Sequence, residues 1–351
     1  MKKLLSVLLI TGLLLFNLSF AAVSAEDEIV WEQCDLGIEH TGIKTIAIDP
    51  QTPSTLYVGT GTKGAFKSSN GGVSWREINN GLTYWEIMSF AINPQTPSTL
   101  YAGTFGVGVF KSIDGGENWN AVNNGMEEQA IRSLAIDPHA PGTLYAGALY
   151  EGIFKSVNAG ENWNVVNNGL TNLNVRSLVI DPQTPGTLYA GTEGGVFKSV
   201  NNGDSWNVVN SGLTVLDIYS LAIDPQMPTT LYAGTNEGGV FKTVNGGDSW
   251  SEVSTGLTNK IVNSLVIDPQ TPSTLYAATE RKGVFKSIDA GDNWIAVNNG
   301  LPDPTVTISL AIDPINPNRL YLGTSYHGLF RSRRIGTDPV IKLFVPMLYT
   351  K

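Results

Sequence analysis

The run Ile-Asp-Pro at 48–50 returns six more times along the chain, with Asn93, Asp137, Asp181, Asp224, Asp268 and Asp313 in the place of Asp49. The steps between copies are 44, 44, 44, 43, 44 and 45 residues. Tryptophans keep the same step at Trp75, Trp119, Trp163, Trp206, Trp250 and Trp294, and only Trp85 is out of phase. A fixed period of this length means one small unit copied many times, each copy too small to bury its own apolar faces.

One copy, beginning at Arg176, contains the runs SLVI, TLYAG, GVFKS and WNVV, separated by Gly, Pro, Asn and Asp. Four short apolar runs bounded by turn residues predict a four-stranded antiparallel meander. Such a sheet has two apolar faces, so copies must stack, and stacking about an axis closes a β-propeller. The ends of the chain argue for closure. Trp31 lies 18 residues before Asp49, the interval that also separates Trp75 from Asn93, so residues 31–34 read as a fourth strand without its first three. Ile308 to Ser332 supplies three strands without a fourth. The expected fold is therefore all-β, a single seven-bladed β-propeller of four-stranded antiparallel blades over residues 26–336. The N-terminal strand completes blade seven and removes the free edges of an open ring. Cys34, the one cysteine, occupies the slot held by Ile78, Val122 and Val166. It is expected to be a buried apolar side chain rather than a reactive thiol, and no intrachain disulfide can form.

Between the third and fourth strands a turn recurs, as in Ser112-Ile113-Asp114-Gly115-Gly116-Glu117-Asn118-Trp119. Its key position is held by Asn70, Asp114, Asn158, Asn201, Asn245 and Asp289. Asp or Asn bonds the backbone of its own turn, Gly permits positive φ, and Trp anchors the hairpin. Six copies point to a structural role, since chemistry needs such a residue once. In the seventh copy Arg333 and Arg334 follow Ser332 where Asn or Asp belongs.

These turns resemble the Asp-box, or bacterial neuraminidase repeat, of a propeller group that includes sialidases, xyloglucan-cleaving glycosidases, sortilin-type receptors and photosystem II assembly factors. The resemblance covers most of residues 31–336 and implies the fold rather than an activity. An arginine cluster like that of the sialidases would be imitated by Arg132, Arg176 and Arg281, but their N-terminal Arg-Ile-Pro motif is absent. Xyloglucan-cleaving relatives use a cleft between two propellers, whereas one is expected here.

The first 25 residues read as a secretory signal, with Lys2 and Lys3 ahead of an apolar run and Val23-Ser24-Ala25 offering a cleavage site. The expected destination is secreted or periplasmic. Without Lys2 and Lys3 the chain has 20 basic and 31 acidic residues, a net charge of −11. That balance disfavours nucleic acid and anionic lipid as partners. Residues 337–351 form a short apolar tail, too short to span a bilayer and interrupted by Pro346. No membrane span is expected after signal cleavage.

Antiparallel order puts the repeated turns on one face of the ring and the variable loops on the other. A ligand site needs residues that are not repeated sevenfold, and the variable face has them. In ring order they are His40, Tyr84, Trp85, Phe105, Arg132, Tyr150, Arg176, Tyr219, Glu280, Arg281, Tyr326 and His327. Aromatics on adjacent blades suit a sugar ring or a peptide, and arginines suit an acidic group. The expected function is non-catalytic binding or assembly on a protein or polysaccharide, by a monomer, with no cofactor or metal. A glycoside hydrolase is the alternative, drawing on loop carboxylates such as Glu151, Glu193, Glu237 and Glu280.

Overall fold

The computed structural model describes residues 28–38, 41–126 and 129–334. The signal segment, His40 and the 337–351 tail lie outside the described residues. Strand β1 (Ile29–Gln33) is followed by blade one: β2 (Ile43–Ile48), β3 (Leu56–Thr60), β4 (Ala65–Ser68) and β5 (Arg76–Glu77). Blades two to six repeat the pattern in β6 (Ile87–Ile92) to β9 (Asn120–Ala121), β10 (Ile131–Ile136) to β13 (Asn164–Val165), β14 (Val175–Ile180) to β17 (Asn207–Val208), β18 (Ile218–Ile223) to β21 (Ser251–Glu252), and β22 (Val262–Ile267) to β25 (Ile295–Ala296). Blade seven is β26 (Thr307–Ile312), β27 (Leu320–Thr324), β28 (Leu329–Arg334) and, outermost, β1. The result is a seven-bladed β-propeller of four-stranded antiparallel sheets.

Closure by the segment around Trp31 is as the sequence predicts, but the strand begins two residues earlier, at Ile29, and ends at Gln33, so Cys34 lies just beyond it. β1 pairs antiparallel with β28 from Ile29 opposite Arg334 to Gln33 opposite Phe330. With Arg333 and Arg334 replacing the turn, β28 runs straight on for six residues and gives β1 an edge to pair with. Arg333 also bonds Glu32 across that pair.

The core lies between blades, because each sheet is covered on both faces by its neighbours. Every residue of the second strand is buried in all seven blades, which is why it reads as an unbroken LYAGT-like run rather than an alternation. The indole N–H of each tryptophan that keeps the repeat step donates to a backbone carbonyl of the preceding blade. Trp75 reaches Cys34 (2.8 Å), Trp119 reaches Ile78 (2.7 Å), and Trp31 reaches Val297 (2.6 Å) to complete the circle. Trp31 is 2% exposed. Gly300, at φ 88°, faces the Trp31 carbonyl so closely that any Cβ there would collide with it. Cys34 is buried as its slot required, and desolvation pushes its thiol up to about 12, away from reactivity.

The recurrent turn is a hydrogen-bonded unit. Ser112 Oγ donates to Asp114 Oδ1 (2.8 Å) and accepts from the Gly116 amide (2.9 Å), while Asp114 Oδ1 accepts from the Asn118 amide (3.0 Å). Asn70, Asn158, Asn201, Asn245 and Asp289 accept the equivalent amide bond in their own turns. Hydrogen bonds from Asn118 and Ser112 hold the Asp114 carboxyl down at about 2.

Candidate functional site

Each innermost strand carries a β-bulge at its second residue. In blade one Ile43 pairs with Thr60 and Thr45 with Gly59, so Lys44 has no cross-strand partner. The same shift leaves Met88, Arg132, Arg176, Tyr219, Asn263 and Ile308 unpaired in the blades that follow. A bulge re-aims the extra side chain. All seven line one cavity of about 470 Å³ where the axial channel opens onto the variable loops. Asn236, Ile261, Glu280, Val306 and Ser325 complete its wall. The fold thus delivers one non-repeated side chain per blade to a shared opening.

Loop bases on this face are fixed while their tips vary. In six blades the threonine that ends the second strand donates to a glycine carbonyl three or four residues on, as Thr60 does to Gly64 and Thr192 to Gly195 (2.9 Å each). An asparagine two residues beyond the fourth strand clamps the same loop: Asn79 Nδ2 donates to Lys63 O, and Asn167 Nδ2 to Glu151 O (2.9 Å each). Blade three has Ala148 at the threonine position, and there Tyr150 adopts φ 71°. That conformation is unfavourable for a side chain of this size.

Electrostatics in the cavity are uneven. Arg176 bonds Glu193, lies 3.0 Å from Asp217 Oδ1 and stacks on the Tyr219 ring at 4.5 Å. Asp217 also accepts from Asn236 Nδ2 (3.0 Å). Burial raises the Glu193 carboxyl, but its bonds from Arg176 and Asn174 prevail and leave it below its ordinary value. Lys44 lies 3.9 Å from Glu86. Arg132 has no carboxylate within 4 Å among the described residues. Burial, and next the charge on Arg176, lower its guanidinium below the ordinary value.

The sequence-predicted residues are distributed over three cavities and the exposed loop surface. Arg132, Arg176, Tyr219 and Glu280 come together in the central cavity. Tyr326 and His327 line a separate cavity of about 310 Å³ with Gln33 and Pro302. Arg281 lines a third cavity of about 250 Å³, which shares Pro302 with the second. The three arginines therefore form no cluster. Trp85 (56% exposed), Phe105 (37%) and Tyr150 (67%) stand on the loop surface, and no ring contact joins them among the described residues. Tyr84 packs its ring against Gly106. Sequence reasoning missed Lys44, Met88, Asn263 and Ile308. Aligned repeats show that column as variable, but nothing in a single copy marks it as a bulge.

No protein-family model and no curated protein sequence matches the chain. Solved structures resemble it in fold. An ancestral GH74 enzyme superposes with a TM-score of 0.72 at 20% identity, covering 86% of this chain and 46% of that one. The GH74 xyloglucanase from Xanthomonas campestris gives 0.70 at 19%, covering 88% and 54%. This chain thus spans about half the length of those enzymes. A YCF48 structure, bound to D1 peptide, gives 0.68 at 14% identity, covering 89% of this chain and 98% of that one. The class defined by fold and comparison is the seven-bladed β-propeller, with both hydrolases and a peptide-bound protein among its similar structures.

Proposed function

We propose that the chain is a secreted or periplasmic, non-catalytic recognition propeller. It acts as a monomer and holds a protein or polysaccharide partner on the face that carries the variable loops. The observation behind this reading is the division of labour between the faces. Side chains that repeat build the ring, and those that do not repeat are gathered at the channel mouth and on the loops around it. Exposed aromatics on fixed loop bases are common anchors for partners. The match over nearly the full length of a peptide-bound propeller favours the same reading.

The state of the carboxylates also favours binding over hydrolysis. Glu193 and Asp217 are engaged with Arg176, and Glu86 lies beside Lys44. A glycosidase needs one carboxyl kept protonated, with its value raised. Glu193 is instead shifted the other way.

The test combines a glycan array and a pull-down with a glycosidase screen on the purified chain. A retained partner whose binding weakens in Trp85→Ala and Tyr150→Ala, with no hydrolysis, supports the reading. Hydrolysis abolished by Glu280→Gln, or a partner indifferent to both aromatic substitutions, overturns it.

A further inference from the structure

Three cations face the channel cavity, and two are already engaged: Arg176 with Glu193 and Asp217, and Lys44 beside Glu86. Arg132 is half-buried next to Arg176, with no ion-pair partner among the described residues. A partly desolvated guanidinium beside a second cation is electrostatically costly, and an incoming anion offsets that cost. The flat, forked donor array of arginine matches a carboxylate. The charge of Glu193 reaches Arg132, and Glu280 lines the same cavity, so a ligand carrying a second negative charge is repelled.

The rest of the wall defines the body of the ligand. In a ring of seven, the point opposite blade three falls between blades six and seven. Ile261, Val306 and Ile308 stand there, and Met88 flanks Arg132 from blade two. The cavity therefore has the Arg132 and Arg176 guanidinium groups on one side and, across from them, an apolar patch bordered by Asn263, Glu280 and Ser325. Its volume of about 470 Å³ lies within the range of small-molecule sites.

We infer that the channel mouth binds a small amphiphilic monocarboxylate, with its carboxylate on Arg132 and its apolar body against Ile261, Val306 and Ile308. This site is separate from the aromatic loop residues, none of which lines the cavity. It stands whether or not those residues hold a larger partner.

The experiment titrates the purified chain with benzoate and hexanoate at neutral pH, by calorimetry and ligand-observed NMR. The controls are acetate, which lacks the body, benzyl alcohol, which lacks the charge, and inorganic phosphate. Benzoate or hexanoate should bind, and acetate and benzyl alcohol should each bind at least about tenfold more weakly. Arg132→Gln should lose about ten- to a hundredfold, the worth of a charged hydrogen-bonded contact. Trp85→Ala should bind the probes as the unaltered chain does. Because Arg132 has no partner to lose, Arg132→Gln should also melt no lower than the unaltered chain. Equal binding by Arg132→Gln, tighter binding of phosphate, or no binding of either probe at millimolar concentration overturns the inference. A marked fall in the melting temperature of Arg132→Gln does so too, since it would show the arginine engaged within the fold.

Discussion

The two faces of the ring use the same chain differently. On the turn face the blades are stitched by repetition. Gln51 donates to Pro94 O (2.8 Å), Gln183 to Pro225 O (3.1 Å), Gln226 to Pro269 O (2.9 Å) and Gln270 to Ile315 O (2.9 Å), each reaching the next blade. Lys67 and Lys111 each donate 2.9 Å bonds to carbonyls in the following blade's turn, lying over Tyr57 and Tyr101 as they do so. On the loop face the equivalent inner position is Lys, Met, Arg, Arg, Tyr, Asn or Ile in successive blades. Repetition is what a ring needs for stability, and difference is what a site needs for selectivity. Here the two demands fall at opposite ends of the same strands.

That comparison can be broken most severely at the closure. Removing residues 26–36 takes away β1 and the buried Trp31, a loss of about 3–5 kcal/mol for the tryptophan alone before strand pairing is counted. Thermal melting should fall steeply. A truncated chain that melts normally would mean that blade seven is complete without β1.

Next in size is a contrast between two tryptophans. Trp119→Ala removes a core side chain and its bond to Ile78, and should cost about 3–5 kcal/mol in denaturant unfolding. Trp85→Ala removes an exposed side chain and should stay within about 0.5 kcal/mol. The order reverses for ligand: with a partner in hand, Trp85→Ala and Tyr150→Ala should each weaken binding by about 2 kcal/mol, near thirtyfold. Equal stability losses at Trp85 and Trp119 would erase the distinction between the faces.

Tyr150 sharpens the comparison within one residue. Its φ of 71° suits glycine, so Tyr150→Gly should stabilise the fold by about 1 kcal/mol while weakening partner binding. A variant that melts lower would mean that the backbone at this position is not strained, and one that binds undiminished would remove the tyrosine from the site.

The smallest effect concerns acid. The Asp114 carboxyl sits at about 2 in the fold against 3.8 unfolded, so its contribution is complete above about pH 4 and is lost as pH falls through about 2. Asn70, Asn158, Asn201 and Asn245 do not titrate. Asp114→Asn should therefore melt like the unaltered chain at pH 7 and fall less between pH 4 and pH 2. An unaltered acid slope would mean that this turn does not contribute to acid sensitivity.

Periodicity alone was enough for the blade count, the strand order, the closure by the segment that carries Trp31 and the burial of Cys34, though not for the ends of the closing strand, which runs Ile29–Gln33. Each of these follows from periodicity and from groups that recur in register, and a sevenfold pattern carries its own internal check. The turn residues Asn70 to Asp289 were legible for the same reason. The site was legible only in part. Arg132, Arg176, Tyr219 and Glu280 stood out because they broke the pattern, yet their grouping, and the exclusion of Arg281 from it, depended on the ring bringing together positions tens to more than a hundred residues apart. The tertiary structure alone decided that the seven unpaired residues share one cavity, and that Glu193 and Asp217 engage Arg176 while Arg132 keeps its charge open. A bulge is a matter of pairing register, and an ion pair is a matter of distance. Neither is written in a single strand until its neighbours are in place.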